Sequence, residues 1–249
     1  MKVAARIRAI YASKEHLGDE RGYPRSEEQR RTRPHRLLWQ HYPERVRSIP
    51  LCSAIKGRNM VVHRVSATVW LTGLSGAGKS TLADALEATF YKRDLPSFVL
   101  DGDALRAGLN RDLAFARKDR RENIRRIAEV ARLFNRAGMF VIVAAISPYR
   151  DDRAAARSVI GSDRFVEVFV NTPLAICERC DPKGLYRRAR SGVLIEFTGI
   201  SAPYEVPLSP DLSVNGADSV ERNVRTIFDL LSSRFVMALS QRAWSQLSP

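Results

Sequence analysis

Val69-Trp70-Leu71-Thr72-Gly73-Leu74-Ser75-Gly76-Ala77-Gly78-Lys79-Ser80-Thr81 decides the fold. The apolar run Val69 to Leu71 feeds a turn that matches G-x-x-x-x-G-K-[ST] at Gly73, Gly78, Lys79 and Ser80, and Thr81 onward reads as a helix. Strand, turn and helix therefore stand in the order that a phosphate-binding loop requires. Gly73, Gly76 and Gly78 open backbone conformations closed to other residues, so the N–H groups of Gly73, Leu74, Ser75, Gly76, Ala77, Gly78, Lys79, Ser80 and Thr81 can line a cradle for phosphate oxygens. Lys79 is placed to reach β- and γ-phosphates, and the Ser80 hydroxyl to ligate Mg²⁺.

Working outward, 249 residues with 45% hydrophobic content suffice for one α/β domain plus extensions. The longest apolar run, Met139 to Ile146, has the length of a buried strand and not of a membrane span, so no membrane partner is expected. The chain opens without the apolar core of a secretory signal, and the expected location is cytoplasmic. Three cysteines, Cys52, Cys177 and Cys180, are too few for a disulfide scaffold. Cys177 and Cys180 form a C-x-x-C, but every histidine (His16, His35, His41, His63) precedes residue 64 and none joins them as a zinc ligand. The expectation is two structural thiols on a helix.

Charge divides the chain. Residues 1–66 hold 15 Lys/Arg against 6 Asp/Glu, so +9 of the net +14 sits there. This leader lacks a core pattern and is expected to be poorly ordered, with specific nucleic-acid binding not expected. Residues 67–235 form the phosphate-loop domain, and 236–249 a weakly patterned tail.

Within that domain apolar strands alternate with amphipathic helices. Strands are expected at Val69 to Thr72, Ser97 to Leu100, Met139 to Ile146, Phe165 to Val170 and Leu212 to Val214. The helix after the loop carries Leu82, Ala85, Leu86 and Phe90; a second, over 120–137, carries Ile124, Ile127, Ala131 and Phe134; a third runs from Ser219 to Leu231. The class is α/β, the phosphate-loop (P-loop) fold of an NTPase or kinase, with a mostly parallel sheet and helices on both faces.

Ligands bind at the carboxyl ends of such strands. The phosphate loop, Asp101-Gly102-Asp103 and Ser147-Pro148-Tyr149-Arg150 should therefore meet. With no histidine in the domain, a carboxylate is the expected proton acceptor from an attacking hydroxyl, and Asp101 and Asp103 are placed so that one faces metal and the other the acceptor. Arg106, Arg120 and Asn123 offer donors for an anionic acceptor, the last two at i, i+3 on a helix face read as lying away from the apolar stripe. Lys183-Gly184-Leu185-Tyr186-Arg187-Arg188 suits a mobile lid that excludes water from the phosphates. Phe115 and Phe197, in loops flanking the site, can sandwich a flat base.

Taken together, Trp70 to Leu82, Asp101-Gly102-Asp103, Gly108 to Leu113, Glu122 to Arg126, Ile146 to Arg150, Asp181 to Tyr186 and Phe197 to Ile200 resemble the adenylylsulfate kinase (APS kinase) family over about residues 68–215. The resemblance implies transfer of the ATP γ-phosphoryl to the 3′-hydroxyl of adenosine 5′-phosphosulfate (APS), giving PAPS and ADP. It places Asp103 at the acceptor hydroxyl and Asp101 on the metal side; Arg106, Arg120 and Asn123 at the phosphosulfate; Phe115 and Phe197 at the adenine; and Lys183 in the lid. Ser147 matches the serine that the family description marks as a phosphoserine intermediate. The resemblance also suggests a homodimer and a separate ATP sulfurylase that supplies APS. Ala104-Leu105, Ala107 and Ala114 to Lys118 depart from the family pattern. The alternative class is a kinase-like module that binds PAPS or APS for regulation without turnover.

Overall fold

The computed structural model describes residues 66–235. The leader (all but Ser66 of residues 1–66) and the tail (236–249) lie outside them. Five strands form one all-parallel sheet in the order β2-β3-β1-β4-β5: β1 Thr68–Thr72, β2 Ser97–Asp101, β3 Phe140–Ala144, β4 Phe165–Val170 and β5 Leu212–Val214. Among the described residues seven helices accompany them: α1 Lys79–Tyr91, α2 Gly102–Ala107, α3 Arg117–Arg136, α4 Arg150–Ile160, α5 Leu174–Cys180, α6 Leu185–Arg190 and α7 Val220–Arg234.

The central strand explains the layering. Every residue of β1 is buried, and because side chains alternate across a strand, Val69 and Leu71 enter one core while Trp70 enters the other. The first core is closed by Leu82, Leu86 and Phe90 of α1 with Val224, Ile227 and Leu231 of α7. The second is closed by Ile124, Ile127 and Ala131 of α3 with Ala156 and Ile160 of α4. Trp70 stacks on Phe165 at a centroid separation of 5.5 Å. Because β1 has β3 on one side and β4 on the other, the chain reverses its order at β1, and the crevice beyond its carboxyl end is where a ligand fits.

Element bounds shift in physically informative ways. The first helix begins at Lys79, two residues before Thr81, because Gly78 at φ 97° turns the chain straight into helix. Strand three is Phe140–Ala144, shorter than the apolar run 139–146, since the chain leaves the sheet for a turn in which Ser147 takes φ 40°. The long helix starts at Arg117 rather than 120. The last helix runs on to Arg234 behind a Ser219 cap that accepts the Arg222 N–H at 3.2 Å.

The α3 start lacks such a cap: Ala116 has an extended backbone and no side chain to bond the first turn. Ala116→Ser is expected to stabilise the fold by about 1 kcal/mol, a rise in melting temperature of about 2–4 °C for a chain of this size. Calorimetry showing no gain would mean that water already serves those amides equally well.

Candidate active site

The phosphate loop is held by close backbone approaches. A Cβ on Gly73 would lie 2.6 Å from the Val170 carbonyl oxygen, and one on Gly76, at φ 72°, 3.1 Å from the Cys177 carbonyl oxygen. Thr172 Oγ1 donates to the Ala77 carbonyl at 2.8 Å. Gly216, past β5, closes the same wall, since a Cβ there would meet Ala77 O at 2.1 Å. Neither Thr172 nor Gly216 was singled out from the sequence; the Asn215-Gly216 dipeptide marks only a turn.

Lys79 lies beneath this loop, 8% exposed, and donates to the carbonyls of Gly73 at 3.0 Å and Leu74 at 2.6 Å. Burial pushes its pKa down to about 8, against the pull of Asp103 and other nearby negative groups. Ser80 Oγ donates to Asp101 Oδ2 at 2.6 Å. Asp101 Oδ1 accepts the Asp103 N–H at 2.8 Å and the Ala104 N–H at 3.3 Å, so one carboxylate caps α2 and meets the phosphate loop. Asp103, two residues on, is exposed and pairs with Lys183. The structure thus gives the two carboxylates different neighbours.

Across the crevice, Arg120 and Asn123 correct one expectation. Both are buried with Ile124 and Ile127, and not on a solvated face. Arg120 donates from Nε to Phe115 O at 2.6 Å, from Nη1 to Thr198 Oγ1 at 2.7 Å and from Nη2 to Glu196 O at 2.5 Å. Segments 76 and more residues apart in sequence cover it, which helical periodicity alone does not reveal. Arg106 donates to the carbonyls of Leu113 and Ala114 and lies over the Phe115 ring at 4.6 Å. Burial lowers the pKa of both arginines, and Arg120 lowers that of Arg106 further. Asn123 Oδ1 accepts from Asn110 Nδ2 at 2.9 Å.

Arg120 ties together the loops that carry Phe115 and Phe197, but the two rings are placed differently. Phe115 is 60% exposed, whereas Phe197 packs edge-on against Tyr186 at 5.0 Å. Tyr186 also donates to the Ser75 carbonyl at 2.9 Å, joining α6 to the phosphate loop. Arg117, not among the expected residues, lies 3.8 Å over the Tyr149 ring and bonds Asp152 at 2.7 Å. Ser147 is 2% exposed; its Oγ accepts from Trp70 Nε1 at 3.0 Å and donates to Ala145 O at 3.3 Å. Of the two thiols expected to be structural, Cys177 is buried and Cys180 exposed.

The family model for adenylylsulphate kinase matches residues 65–215. The chain belongs to that family. It is 55% identical over 167 residues to the adenylyl-sulfate kinase of Geotalea daltonii, covering 67% of this chain and 82% of the relative. It is 52% identical over 176 residues to that of Pseudomonas entomophila, covering 70% and 84%. A solved structure of the Mycobacterium tuberculosis APS kinase CysC in complex with AMPPNP and APS superposes with a TM-score of 0.65 at 48% identity, covering 67% of this chain and 98% of that one. The α/β P-loop kinase architecture and the ATP-dependent kinase class follow from these likenesses.

Lys79 has a consequence for pH. Its folded pKa of about 8 lies below the ordinary 10.5, so the fold holds fewer protons than the unfolded chain between those values, and this group's contribution to stability rises as pH climbs from 8 to 10.5. Binding runs the other way, because a polyphosphate favours the ammonium. ATP affinity is expected to fall above pH 8, approaching about tenfold per unit, and titration calorimetry of Lys79→Met is expected to show no such break. A flat profile in the unaltered protein would overturn the assignment of Lys79 to the phosphates.

Proposed function

We propose that this chain transfers the γ-phosphoryl of ATP to the 3′-hydroxyl of APS, giving PAPS and ADP. The observation that carries the reading is the division of labour between Asp101 and Asp103. Asp101 is bonded to Ser80 at the phosphate loop, while Asp103 stands exposed beside Lys183 of the lid.

In this reading the amides of Gly73 to Thr81 cradle the ATP phosphates, and Lys79 turns from the loop carbonyls to the transferring group. Ser80 Oγ and the Asp101 carboxylate are adjacent oxygen donors, which suits a hard cation, and they would hold Mg²⁺. When bound, that ion supplies charge neutralisation at the phosphates. Asp103 accepts the proton of the 3′-hydroxyl. Arg106, Arg120 and Asn123 bind the phosphosulfate; the terminal nitrogens of Arg120 each keep one N–H beyond the bonds they already make. Phe115 and Phe197 flank the acceptor adenine, and Lys183 covers the phosphates and helps to exclude water.

Ser147 has no place in the transfer. Its hydroxyl is buried and already both donates and accepts, so phosphorylation would abolish the bond it donates to Ala145 O and force a dianion into a packed site beside Trp70. Direct in-line transfer needs no such carrier. The same reading expects a homodimer, an ATP sulfurylase as the source of APS, and the cytoplasm as the compartment. Among the described residues no helix is long and apolar enough to cross a membrane. The assembled Lys79, Ser80, Asp101 and Asp103 weigh against a module that only binds APS or PAPS.

The test is ADP release from Mg²⁺-ATP with APS, adenosine, AMP or no acceptor. APS-dependent turnover is expected, with Lys79→Ala and Asp103→Asn slower by about 100-fold or more and Ser147→Ala within about tenfold of the parent. Binding of APS without ADP release would favour the regulatory reading, and a Ser147→Ala protein as silent as Lys79→Ala would restore the covalent step.

A further inference from the structure

Behind the turn at the end of β3 lies a buried side chain that no role above uses. Arg153, on α4, is 3% exposed and donates in three directions: to Glu167 Oε1, to the Ser147 carbonyl and to the Glu205 carbonyl, each at 2.7 Å. We infer that Arg153 is a positioning residue for the acceptor, a strut that fixes the Ser147–Arg150 turn against the segment around Tyr204–Val206. This inference rests on APS being the acceptor.

Both ends of the strut lead to the site. Ser147 takes φ 40°, in the left-handed region that a residue with a side chain occupies only when its surroundings impose it. The Arg153 bond to its carbonyl is one of the contacts that do so; the Trp70 indole and the weaker Thr72 hydroxyl contact at 3.4 Å are others. Two residues on, Tyr149 carries the Arg117 guanidinium on its ring, and Arg117 opens α3, the helix that carries Arg120 and Asn123. A shift at Ser147 would therefore be felt at the proposed phosphosulfate cluster. At the other end, Glu205 donates its N–H to Pro148 O at 2.8 Å and accepts the Arg150 N–H on Oε2 at 2.8 Å. Tyr204 Oη lies 2.9 Å from Thr72 Oγ1, where β1 enters the phosphate loop.

The three donors have separable parts. Glu167 neutralises the buried guanidinium, with Arg157 3.8 Å from its other oxygen, whereas the two carbonyl bonds set position. Lysine can keep the ion pair but cannot bridge two carbonyls and a carboxylate with one planar fork. Arg153→Lys is thus expected to raise KM for APS by about tenfold or more, with KM for ATP and kcat changed much less. Glu167→Gln, which leaves both carbonyl bonds, is expected to lower the melting temperature while holding KM for APS within about twofold of the parent.

Both variants and the parent are assayed for APS-dependent ADP release in the full chain, alongside hydrogen exchange of the parent. The Glu205 amide is expected to exchange as slowly as those of β4. A folded Arg153→Lys protein with unchanged KM for APS overturns the inference, as does a Glu167→Gln protein whose KM rises in step with its loss of stability. Rapid exchange at Glu205 overturns it even if Arg153→Lys fails to fold. A parent that releases no ADP with APS defeats the acceptor assignment instead, and the exchange measurement then still reports on the strut.

Discussion

The structure depends on one close approach of backbones. Where β1 ends, Gly73 lies so near the Val170 carbonyl of β4 that no side chain fits between them. This contact brings the phosphate loop down onto the end of the sheet, where Thr172 and Gly216 can close against Ala77. The buried central strand makes the approach possible. Apolar residues on both faces of β1 fix it between two cores, so the loop that follows begins from a defined point and direction. A loop anchored by backbone geometry can present its amides without reorganising when phosphate arrives, which is what electrostatic catalysis requires.

The buried and half-buried cations of the crevice follow a second rule. Lys79 donates to two loop carbonyls, Arg106 to two others, and Arg120 to two carbonyls and a hydroxyl. Main-chain oxygens satisfy the donors, so these side chains avoid the penalty of burial without partners. Carbonyls do not cancel charge, however, so the charge on these three side chains stays available to an anionic ligand. Arg153 differs, because Glu167 neutralises it. That contrast separates a cation placed to meet a ligand from one placed to hold the backbone.

How much of this was legible in the sequence depends on the range of the interaction. The five strands and the phosphate loop came through with small errors at their ends, because alternation, apolar runs and glycine spacing are local. The buried state of Arg120 and Asn123 did not, because residues 196–198 and Asn110 provide their partners and no pattern within α3 shows it. Helix α4 leaves only a weak trace in the sequence, although Asp151 and Asp152 stand in its first turn and alanines follow. Its short apolar stripe of Ala156 and Ile160 is too sparse to signal a helix by periodicity. Ser147 was visible as part of a motif, but only the turn geometry shows its hydroxyl facing inward to Trp70.

The lid shows how such contacts limit motion. Helix α6 has only six residues, too few to persist alone, and it is held through buried Tyr186 and Ala189. Tyr186 reaches Ser75 and packs on Phe197, so swinging the whole helix outward would disrupt the phosphate loop and the Phe197 loop together. On the other side of Gly184, at φ 63°, Lys183 is exposed and makes a single ion pair with Asp103. An exposed pair of this kind costs little to break, about 1 kcal/mol or less. The movable part is therefore the Lys183 side chain, since Asp181 before it stays bonded to Cys177 and to the first turn of α6. With the roles proposed above for Asp103 and Lys183, releasing the base and delivering a cation to the phosphates would become one motion, with the anchored helix as its fixed end.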